Sequence, residues 1–172
     1  MASEFDRAEA ALSRYAAGES ADGEWPSVAQ RVRQARERCG LTFESIAEQL
    51  GIHPSEYWDL EIHDDEAFTC MSVDELAQIS SILGISVDEM LFDERDAPPG
   101  VQTPFEVVAA RLVDVARQQG LTIAELGDRV GWELADAIAN PASLGALNVA
   151  GLRDVCEAVG VEWRTALPRR SP

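Results

Sequence analysis

Gly40-Leu41-Thr42 recurs as Gly120-Leu121-Thr122, and Leu50-Gly51 as Val130-Gly131, when the chain is slid along itself by 80 residues. Val28, Arg31 and Val32 meet Val108, Arg111 and Leu112 in the same register. Further on the offset falls to 76, where Val73, Leu76, Ile79 and Gly84-Ile85 meet Val149, Leu152, Val155 and Gly160-Val161. Two glycine registers with matched apolar positions mark a duplication, so the fold has to be built from two like units. The fall in offset places a four-residue shortening between the third and fourth helices of the second copy. Length changes of that kind fall in loops.

The copies are joined through Asp93 to Pro104, a charged stretch with Pro98-Pro99-Gly100 and no apolar periodicity, which marks a linker. The organisation expected is therefore an N-terminal helix and spacer over 1–23, a first domain over 24–93, a linker over 94–104, a second domain over 105–167 and a tail over 168–172. The N-terminal helix is read from Phe5, Ala8, Leu12 and Tyr15 along one face of Ser3 to Ala17.

Within the first copy the spacing of Val28, Val32 and Ala35 predicts one helix, and Ile46, Ala47 and Leu50 a second, capped by Thr42 and ended by Gly51. Pro54 suits the first turn of a third, where a missing N–H costs nothing. Ser72 to Glu75, Ser86 to Glu89 and Thr122 to Glu125 each have capping-box form. No segment alternates as a strand does, and the fold class expected is all-α.

The net charge of −17 comes from 31 acidic residues against 14 basic ones, and every basic residue is Arg. Such a chain repels phosphate backbones and anionic membranes, and it speeds encounters with basic partners. No apolar run approaches the ~20 residues that span a bilayer. Cys39, Cys70 and Cys156 form no CxxC pair and read as reduced thiols, which points to a cytoplasmic protein. His53, His63 and Cys70 near Asp64, Asp65 and Glu66 match no metal-ligand spacing. There is no phosphate-binding glycine loop and no nucleophile elbow, so no enzyme, cofactor or metal is expected.

Arg33 and Arg36, Gly40-Leu41-Thr42, Ala47-Glu48-Gln49-Leu50-Gly51-Ile52, Leu60-Glu61, Leu83-Gly84-Ile85 and Asp88-Glu89-Met90-Leu91-Phe92 together resemble the phage-repressor (Cro and lambda-repressor-like, or Xre) helix-turn-helix family. The resemblance is strong over 28–92 and weak over 105–167. It implies two tandem repressor-like helix-turn-helix domains of four to five helices each. It also implies that bases are read from the third helix, at His53, Pro54, Ser55 and Asp59, with Arg31, Arg33, Arg36 and Arg38 as the positive groups on the first helix.

The residues themselves pull the other way. The third helix, from His53 to Glu61, has no Lys or Arg, and the family's phosphate-donating Gln at the start of the second helix is Phe43 here. Residues 27–93 hold 14 acids and four Arg. Glu56, Trp58, Asp59, Asp64, Asp65 and Glu66 combine a large aromatic anchor with concentrated negative charge, as a site for a basic protein would. Two roles stay open for Trp58: such an anchor, or packing on the linker or second copy. The four Arg are read either as phosphate contacts or as a solvated face paired with Glu37 and Glu44. Trp132 is expected at a seam between the domains. Leu134, Ala135, Ala137 and Ile138 are expected to need cover from the first copy or a second chain.

The function expected is a regulatory protein that binds a basic protein, as antitoxins, immunity proteins and DNA mimics do. The alternative is a DNA-binding transcriptional regulator of the repressor type. A homodimer is compatible with either.

Overall fold

The computed structural model describes residues 27–92 and 101–168. The expected N-terminal helix, most of the linker and the tail from Arg169 lie outside the described residues.

Among the described residues the fold is all-helical, with a single isolated backbone bridge between Ser72 and Asn148. The helices of the first copy are α1 (Val28–Cys39), α2 (Phe43–Leu50), α3 (Pro54–Leu60), α4 (Glu66–Thr69), α5 (Val73–Leu83) and α6 (Val87–Leu91). Those of the second are α7 (Phe105–Gln119), α8 (Ile123–Val130), α9 (Ala135–Ala139) and α10 (Val149–Ala158). Two 3-10 turns, Pro141–Ala146 and Trp163–Ala166, stand where the first copy has α4 and α6. α2 and α8 match end for end at the offset of 80 read from the sequence. No helix among the described residues is long and apolar enough to cross a membrane.

The ends of the helices follow from local chemistry. Thr42 accepts a hydrogen bond from the Ser45 amide and starts α2, while Ser72, Ser86 and Thr122 form reciprocal capping boxes with Glu75, Glu89 and Glu125. Each satisfies amide groups that the first helical turn leaves unpaired. Gly40 and Gly120 end α1 and α7 at a φ of 67°, a left-handed conformation that strains any residue with a Cβ.

One continuous apolar core runs through both copies. Val32, Ala35, Ile46, Ala47, Tyr57, Leu60, Leu76 and Ile79 fill the first part. Val108, Leu112, Leu126, Leu134, Leu144, Leu152 and Val155 fill the second. The copies meet where α4 packs on α10 and where the Pro141–Ala146 turn packs on α5. Phe92 also meets Trp163 edge-on at 5.6 Å, with the Arg164 guanidinium 4.9 Å over the Phe92 ring.

Two expectations about the second copy are corrected. Leu134 and Ala137 are buried, but their cover is α7 and the Pro141–Ala146 turn of their own copy. Trp132 packs inside the second copy, not at the seam. Its indole lies so close to Gly151 of α10 that a Cβ there would come within 2.5 Å of the ring. The tryptophan that meets the first copy at the seam is Trp163, against Phe92.

Candidate functional site

α3 divides its residues between two faces. Tyr57, Leu60 and Glu61, at helical spacing, turn into the core, which leaves Ser55, Glu56 and Trp58 on the outer side. Trp58 is 41% exposed and packs on Phe43, the first residue of α2, with ring centroids 5.4 Å apart and planes tilted by 58°. Phe43 is half-buried and Glu44 beside it is exposed. The result is a two-ring apolar patch on the surface, with Glu44, Glu56 and half-buried Asp59 close by in the chain. Trp58 thus packs on α2 of its own copy, which leaves much of its ring available.

The residues at the start of α3 are engaged with one another. His53 caps the helix: its Nδ1 accepts from the Ser55 amide and lies 2.7 Å from Ser55 Oγ, while Glu56 accepts from the His53 amide. Pro54 occupies the first turn, as expected. Among the described residues no cluster of three or more His, Cys, Asp or Glu is placed to hold a metal ion.

The acidic loop after α3 is divided. Asp64 Oδ1 accepts from the Ala29 amide at 2.9 Å, so this carboxylate helps cap α1, where the positive end of the helix dipole favours it. One oxygen of Asp64 is thereby held by the chain itself. Asp65 is exposed, and half-buried Glu66 opens the short helix α4.

Three of the four arginines of α1 are tied to other parts of the first copy. Arg31 donates to the Met90 and Leu91 carbonyls at 2.9 and 3.0 Å, which closes the end of α6. Arg33 donates to the Glu61 carbonyl at 2.8 Å at the end of α3. Arg36 makes a two-pronged bond to the Glu61 carboxylate, with Nη2 to Oε2 at 2.9 Å, and donates to the Leu41 carbonyl at 3.0 Å. Arg38 is exposed. The expected pairing with Glu37 is at most a loose contact, 3.9 Å from Arg36.

Glu61 is a residue whose role the sequence reading left open, and it is fully buried. Its hydrogen bond and charge hold the Arg36 guanidinium even more firmly protonated than usual. Burial, and then the Glu61 carboxylate, push the Tyr57 hydroxyl far above its ordinary range, and it has no hydrogen bond of good geometry. The signal was available in the sequence. Glu61 stands four residues after Tyr57 and one after Leu60, on the face those residues bury.

Comparison of the chain with models of protein families, with curated proteins and with solved structures finds no match.

Proposed function

We propose that the chain is a regulatory protein of the repressor-like helix-turn-helix type, with two such domains in tandem, whose first domain uses α2 and α3 to bind a basic protein. The Phe43–Trp58 pair carries this reading. A Trp held against a second ring on an otherwise acidic surface is the kind of anchor that dominates protein interfaces. Glu44, Glu56, Asp59 and Asp65 supply the long-range attraction that steers a basic surface onto it.

The same arrangement disfavours nucleic acid. Affinity for DNA rests on neutralising phosphates, and Arg31, Arg33 and Arg36 are occupied with carbonyls and with Glu61. Ser55 is bonded to His53. The three cysteines are free thiols, which fits a cytoplasmic setting for this regulator.

The test is capture of partners from native cells by the full chain, by Trp58→Ala and by Asp59→Arg with Asp65→Arg. A partner with an excess of Lys and Arg should dissociate faster from the first variant and associate more slowly with the second. Nanomolar, sequence-selective DNA binding by the isolated chain at physiological salt would overturn the proposal.

A further inference from the structure

Ser72 and Asn148 are equivalent positions of the two copies at the offset of 76, and they pair across the seam as an isolated backbone bridge. Each caps the helix that follows it: Ser72 caps α5 and Asn148 caps α10. The Val73 amide donates to the Leu147 carbonyl at 2.8 Å, and Asn148 Nδ2 donates to the Thr69 carbonyl. The packing around this point is reciprocal. The short helix before Ser72 lies on α10, and the short turn before Asn148 lies on α5. Contacts in which each element meets the other's counterpart are the mark of a two-fold interface, which ordinarily relates two separate chains.

We propose that the two copies form an internal dimer about a pseudo-two-fold axis between Ser72 and Asn148. Each copy's self-pairing surface is occupied by the other, and the chain acts as a monomer. This rests on the seam alone and not on the partner reading.

The seam is matched to unlike halves. Gly145 lies against Asp74 so closely that a Cβ would come within 2.3 Å of the Asp74 carboxylate. Its counterpart in the first copy is Thr69. A first copy pairing with another first copy would therefore set Thr69 where Gly145 fits, and Asp74 would have to turn away. The pairing favours one of each. The face at Phe43 and Trp58 is likewise present once, since its counterparts are Ile123 and Ile138.

Light scattering of the full chain over a wide range of concentration tests the first consequence. The mass expected is that of one chain, 18.7 kDa. A stable dimer would mean that pairing surfaces remain free, and the proposal fails. Asn148→Ser tests the seam itself. Serine is the residue the first copy uses to cap the same helix, so α10 keeps its cap while the bond to Thr69 is lost. Hydrogen exchange at the Val73 amide should quicken roughly tenfold, the weight of about one net hydrogen bond. Exchange in α7 and α8 should not change, which separates opening of the seam from unfolding of the second copy. If exchange at Val73 is unchanged, the bridge does not hold the copies together. Asn148→Asp, which keeps a capping oxygen and cannot donate, should quicken exchange at least as much. If it slows exchange, the proposal fails.

Discussion

The two copies close the third helix by opposite means. In the first, Arg36, Tyr57 and Glu61 form a buried polar cluster that ties α1 to the end of α3. At the offset of 80 the same three places in the second copy hold Ala116, Ala137 and Pro141. There the helix is shorter, and the Pro141–Ala146 turn brings buried Leu144 against α7 and α9. One scaffold accepts either solution, because a buried ion pair offers little net stability over well-packed apolar groups. Its distinct property is that it fails badly when one partner is lost. The polar solution also fixes the end of α3 from within. That leaves the outer face of the helix to carry Trp58.

The largest effect expected tests this contrast directly. Glu61→Ala strands the Arg36 guanidinium and should cost about 3–5 kcal/mol in denaturant unfolding. Replacing the pair together, with Arg36→Met and Glu61→Leu, should recover most of that loss. If it does not, the two closures are not equivalent. Leu144→Ala, the corresponding injury to the apolar closure, should cost roughly 2–5 kcal/mol through the cavity it leaves. A negligible cost would show that Leu144 does not replace the polar cluster.

Chemical labelling compares the copies through their thiols. Cys39 and Cys70 of the first are exposed, and Cys156 of the second is buried. Burial, and then Glu162 and Glu157, push the Cys156 thiol up to about 12, so it stays protonated at neutral pH. Two thiols should react with an alkylating reagent in the folded chain and the third only on unfolding. Rapid labelling of all three would show that the second copy opens easily.

The smallest effect concerns a cap. Hydrogen bonds from Thr122 hold the Glu125 carboxyl below the usual carboxylate range. A carboxyl depressed in the folded state contributes stability above its unfolded value, which is lost as the pH falls through the folded one. Glu125→Ala, which removes the acceptor of both Thr122 hydrogen bonds, should lower stability slightly near neutral pH and progressively less in acid, where the carboxylate is already protonated. A cost that does not change with pH would mean that Glu125 takes no part in the cap.

The helices, their caps and the duplication were legible in the sequence, because each depends on near neighbours. Thr42, Pro54, Ser72 and Thr122 act on amides within three residues of themselves. The Phe43–Trp58 surface was half legible: both residues stood out, but not that they touch. The environment of each carboxylate was not legible, because charge along a sequence does not say which carboxylates face water. Glu61 and Asp64 are charged like their neighbours, yet one is paired with Arg36 and the other caps α1.

Sequence alone therefore determined the all-helical class, the repeat and the helices that begin after Thr42, Ser72, Ser86 and Thr122, through local hydrogen bonding and apolar spacing, but not the short helix Glu66–Thr69 or the two 3-10 turns. It could not determine where the arginines of α1 end, because their partners lie 25 to 60 residues away, at Glu61, Met90 and Leu91. Nor could it determine the meeting of Ser72 with Asn148, two capping residues unremarkable within their own helices. Long-range pairing of this kind depends on how whole helices pack, and only the tertiary structure decided it.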